Sequence, residues 1–165
     1  MVDKKDVLNK LLGGKNAFRI IIGTMTMWIF MIAFQADSST PAEIVMDLVI
    51  FAVLLLLSYI FASVIGEEII VQRQTSWKRI LEIALDVSPV LWPTLPPFLI
   101  FVMASLGIIT VKTGLILSDI SLLSILFLMG FIAGKAIGKI RRGLLDGALA
   151  AGIGVGLVIL RSMVL

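Results

Sequence analysis

Tyr59, Ser63 and Glu67 recur at every fourth residue and are followed by a second carboxylate, Glu68. On a helix this spacing draws a polar stripe along one face that ends in paired acids. Adjacent carboxylates suit a hard or borderline divalent cation, or they can share a proton, because two like charges resist ionising together. Asp146 is a third candidate, one helical turn beyond Arg142 inside an apolar stretch. It reads either as a carboxylate on an ion or proton path or as the ion-pair partner of Arg141 or Arg142. Asp47 and Asp119 fall near the outer ends of their apolar stretches, where ordinary solvation is expected. Met25, Met27, Met31 and Met46 offer soft thioether ligands, although methionine in an apolar helix is usually filler. The chain has no histidine and no cysteine. That removes imidazole ligands and bases, thiolate nucleophiles, disulfides and iron–sulfur clusters, and no cofactor is expected.

The elements that must position these groups are hydrophobic. Of 165 residues, 59% are hydrophobic and 15% charged, against about 45–50% and about 25% in soluble domains, and the mean hydropathy is +1.11. Five charge-free runs carry the excess: Ile20 to Ala36, Leu48 to Gly66, Val87 to Val111, Ile120 to Gly134 and Gly147 to Leu160. At about 1.5 Å per residue the second run alone reaches about 28 Å, close to the hydrocarbon thickness of about 30 Å. The fourth and fifth runs cross only if helix continues into their charged flanks.

The reading is an all-α, polytopic membrane protein with five transmembrane helices, at about 17–36, 42–66, 88–111, 116–138 and 143–163. They form one integral membrane domain over residues 1–165, with 1–16 as a cytoplasmic lead-in. Lysine and arginine set the orientation. Twelve lie in the lead-in and the second and fourth loops, and only Lys112 and Arg161 lie on the other side. The N-terminus is therefore expected in the cytoplasm and the C-terminus outside, in a multi-pass protein of the cell membrane. This placement explains the net charge of +3 without nucleic acid. A cleavable leader is disfavoured because Phe34 stands where cleavage after Ala36 wants a small residue.

Local signals refine the picture. Thr40 and Pro41 mark a capped helix start. Trp77, Ile80, Leu81 and Ala84 share a helical face, which predicts a short amphipathic helix on the cytoplasmic leaflet between spans two and three. Pro93, Pro96 and Pro97 interrupt the third run and withdraw the helical partners of the Pro89, Trp92 and Pro93 carbonyls. Two outcomes are open, a kink beside the interfacial helix or a broken helix lining a polar cavity. Gly130, Gly134 and Gly138, then Gly143 and Gly147, repeat at intervals of four. Small residues so spaced let helix backbones approach in lipid, so the last two spans are expected to pack as an antiparallel pair, against each other or a second subunit. A glycine-lined substrate path is the other reading. Lys139 to Arg142 is expected to form the tight turn between them.

This layout resembles the vacuolar iron transporter family. Gly66-Glu67 with Gln74 is similar to that family's glycine–glutamate–tyrosine stretch and trailing glutamine, and Pro93-Thr94-Leu95-Pro96 to the proline-framed start of its third span. Gly134 through Leu145 is similar to the link between its last two spans. The resemblance covers about residues 58 to 160. Asn16-Ala17 stands where the family has an aspartate–glycine pair, and Glu68 where it has the tyrosine. The resemblance implies a dimeric, proton-coupled carrier of Fe²⁺ or Mn²⁺, with Glu67 as the ligand carried over. The expected function is a small carrier for divalent metal ions, with lipid and a second copy as partners and no nucleic acid. The alternative is a non-transporting membrane subunit that joins a larger complex through its glycine-rich helices. An enzyme is not expected.

Overall fold

The computed structural model describes residues 14–32, 40–136 and 140–164. They form α1 (Gly14–Ile32), α2 (Pro41–Val71), α3 (Trp77–Val87), a 3-10 segment (Ser88–Thr94), α4 (Leu95–Ser105), α5 (Val111–Ala136) and α6 (Ile140–Val164). No strand occurs among the described residues. Among the described residues, four helical stretches are long and apolar enough to cross a membrane: Pro41–Val71, Trp77–Ser105, Val111–Lys135 and Ile140–Ile159. The apolar part of α1, Asn16–Ile32, is shorter.

α1 is nonetheless the centre of the bundle. Ile20, Gly23, Thr24, Met27, Trp28 and Met31 recur at helical spacing and are all buried. They face the 3-10 segment, α5 and α6. Around Met27, Trp28 and Met31 the core is completed by Ile44 and Leu48 of α2, Phe101 and Ala104 of α4, and Leu115, Leu122 and Leu126 of α5. The two core methionines are thus packing groups, while Met46 is exposed. Phe30 stacks on Phe51 with ring centroids 4.2 Å apart, tying α1 to α2.

Thr40 begins α2 with a capping box. Its hydroxyl accepts the Glu43 N–H at 3.3 Å, and the Glu43 carboxylate accepts the Thr40 N–H at 2.8 Å. α2 runs five residues beyond its expected end and stops at Gln72, which adopts a left-handed conformation (φ 52°). Ser76 then caps α3 by accepting the Arg79 N–H. α3 buries Ile83 and Val87 and leaves Trp77, Leu81 and Leu85 exposed in a stripe.

The prolines act differently from a break inside one helix. The backbone tightens into the 3-10 segment, and α4 starts at Leu95, so Pro96 and Pro97 fall in a first turn that has no helical hydrogen bonds to lose. The Leu95 N–H donates to the Trp92 carbonyl, and the Thr94 hydroxyl donates to that of Leu91 at 2.6 Å. A 3-10 helix rises about 2 Å per residue. The segment and α4 together therefore reach up to about 30 Å, although α4 ends at Ser105 rather than near 111. α5 begins five residues before the expected 116. α6 already includes Ile140, Arg141 and Arg142, so three residues of the expected tight turn are helical.

α5 and α6 form the most extensive helix pair. A Cβ on Gly130 would lie 2.6 Å from the Asp146 carbonyl oxygen, and one on Gly134 would lie 2.7 Å from the Gly143 Cα. Gly143 and Gly147 press in turn on the carbonyls of Phe131 and Phe127. The contacts step down one helix as they step up the other, so the pair is antiparallel and glycine is what allows its closeness. Gly138 lies outside the described residues.

Candidate functional site

The paired acids lie where α2 gives way to α3, and the two carboxylates go separate ways. Glu67 Oε1 and Oε2 accept from Arg79 Nε at 2.8 and 3.2 Å. Arg79 also donates to Glu82 at 3.0 Å from its other arm. Glu68 instead accepts the Thr75 N–H at 2.9 Å and closes the link between the helices. A pocket of about 430 Å³ opens here, lined by Glu67, Arg73, Gln74, Thr75, Ser76 and Arg79 among others. Tyr59 and Ser63 are half-buried further along α2. Among the described residues, no three acids come together as a metal-holding group.

Asp146 stands apart from this cluster, half-buried at the crossing of α5 and α6. A Cβ on Gly134 would meet its Oδ2 at 2.6 Å, so Gly134 makes room for the carboxylate. The ion pair with Arg141 or Arg142 is not formed: among the described residues, salt bridges join only Arg19 to Asp86 and Arg79 to Glu67 and Glu82. A carboxylate seven residues into an apolar helix therefore has no cationic partner among the described residues.

Three features are not evident from the sequence. The early start of α5 puts Asp119 more than two turns inside that helix rather than at its end. There its Oδ1 accepts from Trp28 Nε1 at 3.0 Å, and Trp28 is fully buried. Gly154 of α6 lies under the same indole, since a Cβ there would approach the ring to 2.5 Å. One tryptophan thus links three helices. Next to Asp119, the Ser118 hydroxyl is buried and has no hydrogen-bond partner among the described residues. The second feature is Arg19, which donates to the Asp86 carboxylate at 2.7 Å and to the Asp86 carbonyl, fastening α1 to the end of α3. The third is Gly23, where a Cβ would collide with the Val90 carbonyl oxygen at 2.3 Å. That carbonyl belongs to the 3-10 segment, and the residue three positions on is Pro93, which has no N–H to give it. The sequence clue was a lone tryptophan in an apolar span, whose N–H needs an acceptor when buried.

Comparison with models of known families, with curated proteins and with solved structures returns no match.

Proposed function

We propose that this protein is a small multi-pass membrane carrier for divalent metal ions of the Fe²⁺ or Mn²⁺ class, crossing the membrane five times with its N-terminus in the cytoplasm. The observation that carries the reading is Asp146, an acid inside an apolar helix with no ion pair among the described residues. Acids in such positions are costly and generally serve transport or proton transfer. Glu67 supports it from the α2–α3 end. Arg79 is held by Glu67 and by Glu82, so an arriving metal ion can take Glu67 while Arg79 stays with Glu82. The exchange replaces one cation by another on the same carboxylate and exposes no bare charge.

Flux of Mn²⁺ into liposomes containing the purified protein tests this. Wild-type vesicles are expected to fill at least tenfold faster than empty ones, and Asp146→Asn and Glu67→Gln to lose most of that rate while still folding. Equal rates in wild-type and empty liposomes refute the proposal.

One observation favours a second reading, a membrane subunit without transport. The interior around Trp28 and Phe101 is filled by apolar side chains, while the membrane-length parts of α2 and α6 are mostly exposed. Co-purification of partner proteins in mild detergent, together with absent flux, would support it.

A further inference from the structure

α3 is held in place by charge more than by burial. Of its 11 residues only Ile83 and Val87 are buried, while Trp77, Leu81 and Leu85 are exposed. In lipid, an apolar side chain gives up little by leaving a helix for an acyl chain, so polar contacts decide where such a helix rests. α3 has one near each end. Near its start, Arg79 donates to Glu67 of α2 at 2.8 and 3.2 Å. At its end, Asp86 pairs with Arg19 of α1 at 2.7 Å, and the Asp86 carbonyl accepts from the same guanidinium.

These two pins frame a polar stripe. Tyr59, Ser63 and Glu67 share a face of α2 and are all half-buried. Glu67, at one end, holds Arg79, and Tyr59, at the other, lies within reach of the Arg19 charge. From Tyr59 to Glu67 α2 rises about 12 Å, and from Arg79 to Asp86 α3 rises about 10 Å. Arg79 and Asp86 are also close to two full turns apart, so they share a face of α3. α3 therefore runs back along the last turns of α2, packed against it, with its charged face toward the stripe. Both ends of α3 are jointed. The residues before it turn through the left-handed Gln72, and the 3-10 segment follows it directly.

We propose that α3 is a hinged strap that closes the Tyr59–Ser63–Glu67 stripe off from water, pinned by Arg79 on Glu67 and by Asp86 on Arg19, and that it opens as one unit. With both pins in place the stripe faces α3. With both released it faces water, and Glu67 becomes accessible to an ion. Opening requires neither metal nor flux, so the strap stands or falls separately from the carrier reading.

The test is hydrogen–deuterium exchange of the full-length protein in detergent, read by mass spectrometry over residues 77–87. Arg19→Gln and Glu67→Gln each remove one pin from outside α3, which leaves the intrinsic exchange of its amides unchanged. Each is expected to speed exchange about two- to fivefold across all of α3, the factor of one exposed ion pair. The double variant is expected to show about the product of the two. The chain has no native cysteine, so Ser63→Cys reports on the stripe, and in the same backgrounds it is expected to react faster with a water-soluble maleimide. Exchange over residues 115–129, in the core part of α5, is expected to stay at the wild-type rate. Faster exchange only in the turn beside the removed pin means that the two ends fray separately, which overturns the strap. So does equal acceleration in α3 and α5, which means general loosening. Wild-type exchange in both variants, or a Ser63→Cys reporter that does not respond to them, overturns it as well.

Discussion

Trp28 and Asp119 form a hydrogen bond between two side chains that sequence spacing cannot connect, 91 residues apart in the chain. A bond to a charged group contributes about 1.5–3 kcal/mol. In a membrane-like interior its loss leaves a carboxylate without that donor. Trp28→Phe is therefore expected to lower stability in detergent by about 1.5–3 kcal/mol, whereas Asp119→Asn, which keeps an oxygen acceptor, costs less. Chemical unfolding followed by circular dichroism measures both, and an unchanged Trp28→Phe variant rules the bond out as a stabilising contact. Asp119 was misplaced from sequence for a definite reason. The expected span begins at about 116, close to Asp119, but the helix starts at Val111 and carries Lys112 in its first turn, where the ammonium reaches water. Glu67 and Glu68 were legible as a pair, but their partners were not. Whether neighbouring acids converge on one ligand depends on which helix face meets Arg79 and which meets Thr75.

Among the elements, the packing of α5 on α6 was the most legible, because glycine at every fourth residue has a direct physical meaning in lipid: without side chains, two backbones can touch. Gly134→Leu is expected to cost about 1–3 kcal/mol, the usual range for overpacking, by pushing on the Gly143 backbone and the Asp146 carboxylate. Gly152→Leu on the same pair is expected to cost almost nothing, since nothing lies within 4 Å of the Cβ it would add. Thermal unfolding of both variants in one detergent checks the contrast, and similar losses refute the assignment of faces. Gly23 belongs to a different class of close approach. It meets the carbonyl of a 3-10 segment that exists because prolines tightened the chain, and no spacing rule pairs a glycine in one helix with a turn 67 residues later. Gly23→Val is accordingly expected to destabilise the fold by about 1–3 kcal/mol, while Met25→Val, on the half-buried flank of α1, is tolerated. Equal losses from the two would show that α1 does not pack closely on Val90.

For the whole molecule, the distribution of basic residues predicts sidedness. A reporter fused before Met1 is expected in the cytoplasm and one after Leu165 outside, and both reporters on one side would refute five crossings. The bundle also has an uneven distribution of burial. α1, whose apolar stretch is shorter than the four membrane-length stretches, buries a continuous face, whereas the longest helix, α2, is mostly exposed, with its apolar residues turned outward. In water that arrangement would be unstable. In lipid no hydrophobic force distinguishes the inside from the outside, so helices sort by packing and polar contacts. α1 supplies both, through Gly23 and Trp28 at its packed face and Arg19 at its end.

Composition and charge alone were enough to specify a helical membrane chain, because a backbone in hydrocarbon must satisfy its own hydrogen bonds and because long apolar runs have no other stable place. The Thr40–Pro41 cap and the glycine stripe were equally local and equally readable. Only the tertiary structure decided which helix is central, that Glu67 is held by Arg79 and Glu68 by the Thr75 amide, that Asp146 lacks the arginine partner its sequence neighbours offered, and that Asp119 is bound by a buried tryptophan. These depend on the rotation and depth of each helix against its neighbours. In lipid, hydropathy barely constrains rotation, since an apolar residue is nearly as well placed facing an acyl chain as facing another helix.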